Sequence, residues 1–241
     1  LMEFEQLLSG HLKALADYRI FIASDIPKKL PYLQTFSESN FGNPLEQFEF
    51  DGKKFSRSSL NYILGICFLK KYLNKNEEIK TVLEIGGGFG TLGEILKSSG
   101  DVKYIDIDIP PISFVAWNYL KNIYSENYIE PYFHKNKIIN IGKLKSCSVF
   151  NSWDIEKIEG TIDLFVNYIS FQEMEPHIVE NYLNHVKRLN TRWILLRNLR
   201  EGKQIKKTHD AIGVEIPIKK DNYIKLMKDN YSLVATNVFP F

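Results

Sequence analysis

The run Thr81-Val-Leu-Glu-Ile-Gly-Gly-Gly-Phe-Gly-Thr-Leu-Gly93 limits the folds open to this chain more than any other stretch. An apolar segment reaches the acidic Glu84, breaks into a turn with four glycines, and gives way at Thr91 to an amphipathic segment. Glycine adopts positive φ at little steric cost and lets a ligand lie directly against the backbone. A strand, a glycine turn and a helix N-terminus, in that order, make a nucleotide-type cofactor site.

Two cofactors compete for these residues. Gly88-Phe-Gly90-Thr-Leu-Gly93 is a G-x-G-x-x-G, the fingerprint that sets a pyrophosphate on a helix end and implies an NAD(P)-dependent oxidoreductase. Glu84-Ile-Gly86-Gly-Gly88-Phe-Gly90 is equally the acidic-x-G-x-G-x-G of S-adenosylmethionine enzymes, in which the amino acid part of the cofactor lies over the turn. A carboxylate at the strand end repels a diphosphate and attracts an ammonium, directly or through water. Glu84 therefore favours the methyl donor. The oxidoreductase would also need a hydride-transfer site on a second domain or a Tyr-x-x-x-Lys-type pair, and neither is recognisable in the sequence.

The next segment, Val102-Lys-Tyr-Ile-Asp-Ile-Asp108-Ile-Pro110-Pro111, reads as a short strand ending in acid and stopped by proline. Its terminal carboxylate falls about 20 residues past the glycines, where a Rossmann-type second strand brings an acid to ribose hydroxyls. Asp108, nearest the strand end, takes that role. Asp106 reads as a flanking residue or one that supports the site from behind.

These motifs, together with Phe171-Gln-Glu-Met174, resemble a bacterial family of sugar O-methyltransferases, most clearly between about Phe55 and Leu199. More distantly the chain looks like the plant small-molecule O-methyltransferases, which carry a V-G-G-G-x-G turn and an acidic D-L-P strand end. The resemblance implies a Class I S-adenosylmethionine-dependent methyltransferase, with a Rossmann-like seven-stranded sheet whose last strand runs antiparallel. It also implies a sugar or nucleotide-sugar acceptor. Aligned on the plant-like enzymes, their base histidine falls at Gln172, which has no basic function, so that role does not carry over.

The apolar periodicity divides the chain into two parts, a mainly helical extension over 1–79 and a cofactor-binding domain over 80–241. Phe4, Leu7, Leu8, Leu12, Leu15 and Ile20 recur at helical spacing over residues 2 to about 23. Pro27, Pro31, Gly42, Pro44 and Gly52 punctuate an aromatic-bearing stretch, whose Phe36 to Phe55 portion reads as a lid or wall over the cleft. Ser56 is the expected N-cap of a second helix with Leu60, Ile63, Leu64, Cys67, Phe68 and Leu73 on its apolar face. From Lys80 the patterns alternate: strands at 80–85, 102–107, 147–151, 162–168 and 192–198; helices at 91–98, 112–124, 176–189 and 219–229; then an apolar segment over 231–239. Such alternation means an α/β fold with a parallel sheet and helices on both faces.

Ligands in open parallel sheets bind beyond the carboxyl ends of the strands, which locates further candidates. After the third strand, Asp154 and Trp153 fit an acid for the adenine amino group and an apolar face along its ring. After the fourth, Asn167 falls near the methionine end of the cofactor, and Arg57 at its helix start is placed to meet the methionine carboxylate. Methyl transfer to a hydroxyl requires in-line alignment and removal of a proton. Glu173, between apolar neighbours, is the first candidate base, and His177 is its rival because it titrates near neutrality. Gln172, Arg197, Asn198 and His209 are candidates for the acceptor, Arg197 through a carboxylate or phosphate such as a nucleotide sugar carries. Asp163, Glu173 and Asp210 lack metal-ligand spacing, so no metal is expected.

Composition narrows the remainder. The 241 residues are 44% hydrophobic and 25% charged, with 31 basic and 29 acidic side chains interspersed, so no nucleic-acid surface is expected. Lys203-Gln-Ile-Lys-Lys207 reads as a solvated loop. Cys67 and Cys147 lack C-x-x-C spacing and read as buried thiols in a reducing compartment. No apolar run approaches the ~18 residues of a membrane span. The first residues carry no signal-peptide pattern, which leads to a cytoplasmic expectation, and the opening Leu1-Met2 suggests a fragment boundary. The expected partner is a small-molecule sugar or nucleotide sugar, with a homodimer compatible.

Overall fold

The computed structural model describes residues 2–99, 102–132, 137–208 and 211–237. Helix α1 (Met2–Ser24) leads to a hairpin, β1 (Phe48–Phe50) and β2 (Lys53–Phe55), and then to α2 (Arg57–Lys70). The hairpin turns at Asp51-Gly52 with φ of 50° and 72°, the positive angles that a two-residue turn between right-twisted strands requires. Ser56 caps α2 as expected: its Oγ accepts from the Ser59 N–H at 3.0 Å, and the Ser59 Oγ accepts from the Ser56 N–H at 3.0 Å.

The alternating part supplies β3 (Thr81–Ile85), α3 (Thr91–Lys97), β4 (Lys103–Asp108) and α4 (Ile112–Ile123). A short strand β5 (Ile139–Asn140), β6 (Cys147–Asn151) and a short strand β7 (Ile158–Glu159) follow. Then come β8 (Leu164–Tyr168), α5 (Pro176–Arg188), β9 (Trp193–Arg197) and α6 (Lys220–Met227). The central sheet is parallel throughout, in the order β6-β4-β3-β8-β9. Its order reverses at β3, so the carboxyl end of β3 opens the crevice in which an α/β sheet binds ligands.

Side chains alternate across the sheet. Val82, Tyr104, Val149 and Val166 face one layer, formed by α1 to α4, whereas Leu83, Ile105, Phe150 and Phe165 face α5 and α6. The first apolar cluster runs unbroken from Ala14 and Phe21 of α1 through α2 into the strands, so the segment from Ala14 to Ile79 shares a core with the sheet. Phe36, Phe48, Phe50 and Phe55 are buried there with Tyr18 and Phe21; these aromatics pack as core, and Tyr18 and Phe50 also border a surface cavity between α1 and the hairpin. Lys70 and Asp25, both fully buried, form an ion pair of 2.6 Å that ties α2 to the end of α1. Cys67 and Cys147 are free and buried.

Among the described residues the central sheet has five strands, where seven were expected. Residues 231–237 form no strand, and 238–239 lie outside the described residues. Leu233 and Val234 stay exposed, and an apolar run becomes a strand only where a neighbour pairs with it and buries it. No helix among the described residues is long and apolar enough to cross a membrane.

Candidate functional site

The glycine turn lies at the carboxyl end of β3 and packs against the chain on every side but one. Gly86 has φ of 76°, and a Cβ there would overlap the Ser170 hydroxyl. The Gly87 N–H donates to Asp106 Oδ1 at 3.1 Å, and the Gly88 N–H donates to Asp108 Oδ2 at 3.0 Å. The second Asp108 oxygen accepts from the Ile109 N–H at 2.7 Å. Two amides that a phosphate would need are therefore already held by carboxylates of this chain. The absent side chain of Gly88 points into open space, so a ligand can reach the turn from that side.

Beneath the turn lies a cluster of acids. Glu84 and Asp106 are directly paired in the β3–β4 register and point to the same face, and both are fully buried. The Tyr62 hydroxyl donates to one Glu84 oxygen at 2.8 Å and the Tyr104 hydroxyl to the other at 2.6 Å. Asp106 Oδ2 is buried without a hydrogen-bond partner. Burial pushes Glu84 up to about 7 against the two tyrosine bonds, which favour its charged form. Burial raises Asp106 well above the usual carboxylate range, and the charges of Glu84 and Asp108 raise it further. Asp108, half-buried at the rim, is raised by burial and held back by its two backbone N–H donors. Two like charges side by side in a dry layer do not both ionise, so the Glu84–Asp106 pair keeps a proton near neutrality.

This arrangement corrects the expectation for Glu84, which makes no open contact with the cleft because two tyrosines enclose it. Asp106 is the buried partner of Glu84 and supports the turn from behind. The register pairing that brings the two together is a property of the sheet, and Tyr62 comes from a helix that carries no motif.

At the end of β6, Asp154 folds back on its own turn. One oxygen accepts from the Asn151 N–H at 3.2 Å and the other pairs with Lys157 at 2.7 Å, so each has one local partner and the side chain is largely buried. Trp153 is 56% exposed and lines a groove of about 370 Å³ with Ile155, His177, Ile178 and Tyr182. His177 thus shares the Trp153 groove.

The end of β8 is a network of neutral amides. Asn167 is fully buried and saturated: its amide donates to the Ile85 carbonyl at 2.8 Å and to Ser170 Oγ at 2.6 Å. Its oxygen accepts from the Phe171 N–H at 3.1 Å and from Asn198 at 3.0 Å. Gln172 Oε1 accepts from the Leu199 N–H at 2.7 Å, and Asn198 Oδ1 accepts from the Gln172 N–H at 3.2 Å. Asn167, Gln172 and Asn198 therefore brace β8 against β9, with their polar atoms turned inward, away from the ligands expected for them. Ile169, within this brace, has φ of 73° and is 51% exposed. A β-branched residue at positive φ is a strained exception that the surroundings must impose. Sequence gives no sign of it.

Glu173 differs from expectation as well. Its neighbour Phe171 is fully buried, but its own side chain is 44% exposed and pairs with Lys203 at 2.6 Å. The carboxylate lies beside a cation at the surface and is not enclosed by apolar walls. Lys203 thereby gains a role that the reading of its segment as a solvated loop did not give it.

Arg197, at the end of β9, lies over the Tyr168 ring at 5.8 Å and donates to Asn61 Oδ1 at 3.1 Å. Tyr168 in turn stacks on Tyr62, with centroids 4.5 Å apart. Arg57 sits near Asp17 of α1, and its Nε is buried without a partner. His209 and Asp210 lie outside the described residues. Among the described residues, no three or more His, Cys, Asp or Glu side chains are grouped to hold a metal.

No protein-family model matches the chain, and no curated protein matches it. Among solved structures it is similar to the magnesium protoporphyrin IX methyltransferase of Synechocystis PCC 6803 with bound SAH. The identity there is 13%, over 72% of this chain and 71% of that one, with a TM-score of 0.44. It is similar to a SAM dependent methyltransferase from Aquifex aeolicus at 19% identity, over 68% and 77% of the two chains, with a TM-score of 0.43. It is also similar to the mitomycin 7-O-methyltransferase MmcR at 12% identity, with a TM-score of 0.40; that match spans 71% of this chain and 51% of the other.

Proposed function

We propose that this chain is a Class I S-adenosylmethionine-dependent O-methyltransferase that acts on a hydroxyl of a sugar, nucleotide sugar or glycan precursor. The observation that carries the cofactor assignment is the state of the glycine turn. Asp106 and Asp108 already hold the Gly87 and Gly88 amides, and Glu84 lies buried beneath them. A diphosphate would find the N–H groups taken and carboxylates in their place. A ligand carrying an ammonium and a sulfonium finds compensating charge. The same observation disfavours the nicotinamide reading.

Within this reading Asp108, half-buried and with free lone pairs on both oxygens, accepts from the ribose hydroxyls. The open side of Gly88 admits the amino acid part, and the exposed Trp153 ring offers a flat apolar face for adenine. S-adenosylmethionine, when bound, supplies an electrophilic methyl group. Ile169 projects at the strand end and excludes water from the transfer. Glu173 accepts the proton of the acceptor hydroxyl, and Lys203 orients it beforehand. The sugar class rests on the family resemblance of the motifs and on the charged groups past β9.

Thermal-shift titration tests the cofactor. S-adenosylhomocysteine at a hundred times its Kd stabilises the protein by about 2.7 kcal/mol, and NADH does not. Stabilisation by NADH alone would reverse the assignment. Glu173→Gln tests the chemistry: turnover with a labelled methyl donor falls by about 100-fold or more, with S-adenosylhomocysteine binding kept. Unchanged turnover removes Glu173 as the base, and cofactor binding without any turnover on a panel of sugars and nucleotide sugars indicates a non-catalytic subunit.

A further inference from the structure

We propose that Tyr62 is a positioning residue for the cofactor: its hydroxyl places the negative charge of the buried acid pair on Glu84, beneath the turn that receives the cationic ligand. The proposal rests on the cofactor assignment above and adds a residue of α2 to that site.

Glu84 and Asp106 stand side by side in the β3–β4 register, both fully buried, and such a pair carries one negative charge rather than two. Their hydrogen bonds are shared unequally. Each Glu84 oxygen accepts from a phenol, Tyr62 at 2.8 Å and Tyr104 at 2.6 Å. Asp106 Oδ1 accepts from the Gly87 N–H at 3.1 Å, and Oδ2 is buried without a partner. Donors favour the charged form of a carboxylate, so the charge resides on Glu84 and the proton on Asp106 Oδ2. Burial first, and then the adjacent acids, push both phenols well above their ordinary value, so each stays a donor. Tyr104 belongs to the turn, since a side chain at Gly87 or Gly93 would meet it. Tyr62 comes from α2, and its ring lies flat on Tyr168, with centroids 4.5 Å and planes 6° apart. That stack directs the Tyr62 hydroxyl at Glu84. The pair also faces Asp108 at the end of β4, Tyr168 of β8 and Cys147 of β6, the last two pushed up by burial and uncharged near neutrality. Arg197 lies over the Tyr168 ring at 5.8 Å.

The test compares the wild type with Tyr62→Phe, which keeps the stack and loses the donor, and with Tyr168→Phe, which keeps the stack and both Glu84 donors. Removing a donor to the charged form raises further a carboxylate already pushed up to about 7. The stability that Glu84 contributes is complete below 4.5 and is lost as the pH rises through its folded value. Urea unfolding across that range without cofactor should therefore show the loss about one pH unit higher in Tyr62→Phe, and at the wild-type pH in Tyr168→Phe. Calorimetry with S-adenosylhomocysteine reads the consequence. Tyr62→Phe should bind about threefold more weakly than the wild type at pH 7 and within about 1.3-fold of it at pH 8.5, where Glu84 is largely ionised in both. Equal weakening at the two pH values would mark a change in packing alone and overturn the proposal, as would an unshifted unfolding midpoint in Tyr62→Phe. Should Tyr62→Phe not fold, Tyr104→Phe removes the other donor and must show the same upward shift; its absence overturns the charge placement. A shifted unfolding midpoint in a protein that binds no S-adenosylhomocysteine at any pH would support the placement of charge by Tyr62 and remove the cofactor reading.

Discussion

Glu84→Gln separates the stability of the empty protein from its affinity for the cofactor. Glu84 is fully buried, and burial pushes it from 4.5 up to about 7. Between those values the native state holds a proton that the unfolded chain has released. Stability from this group is therefore complete below 4.5 and is lost as the pH rises through 7. The shift corresponds to about 3 kcal/mol over that interval, since one pKa unit is worth about 1.4 kcal/mol. Glutamine keeps the shape and an acceptor for one tyrosine hydroxyl but does not titrate, so the difference between variant and wild type should grow by about 3 kcal/mol from pH 4.5 to pH 8. Asp106 remains raised in the variant, because burial, and not Glu84, is its larger cause. Urea unfolding at the two pH values without cofactor, followed through the three tryptophans, reads this difference. At pH 8, where Glu84 is ionised, the same substitution removes negative charge beneath the turn and should weaken S-adenosylhomocysteine by roughly tenfold, about 1.4 kcal/mol. Unfolding curves that run parallel for the two proteins across the range would show that Glu84 is not protonated in the native state, and the argument would fail.

Other substitutions probe the backbone of the site. Ile169→Gly relieves positive φ at a β-branched residue and should raise unfolding stability by about 1 kcal/mol while lowering turnover; a destabilised variant would mean that the strain is not there. Gly86→Ala and Gly88→Ala form a matched pair, both at positive φ. Only the first meets another group, the Ser170 hydroxyl, so it should cost about 2–4 kcal/mol in chemical denaturation against about 1 kcal/mol for the second. Gly88→Ala should nevertheless lose S-adenosylhomocysteine in calorimetry, because its new methyl occupies the open side.

The five central strands and the helices between them were legible because each carries its own periodicity, and the observed Thr81–Ile85, Lys103–Asp108 and Cys147–Asn151 fall within a residue or so of the expected bounds. The hairpin at Asp51-Gly52 had a visible turn signal that the aromatic content of its surroundings masked. The segment after α6 shows the converse, an apolar run that finds no edge to pair with. In the site, motif positions located the turn and Asp108, but side-chain direction was invisible. Asn167, Gln172 and Asn198 stand at strand ends where a ligand would be expected, and each turns inward because another amide lies within reach. The Glu84–Asp106 pairing, likewise, exists only once β3 and β4 are in register.

The brace that joins β8 to β9 contains no ionisable atom. Asn167, Asn198 and Gln172 hold the contorted backbone at Ile169 through bonds to amides, backbone groups and the Ser170 hydroxyl, with one contact to an ionisable group, from the Gln172 amide to Glu173 at 3.3 Å. Such bonds are indifferent to acidity and barely felt by dissolved salt. The framework at this end of the sheet should thus keep its shape while the acids under the glycines gain or lose protons, so that buffer conditions tune ligand affinity without loosening that framework.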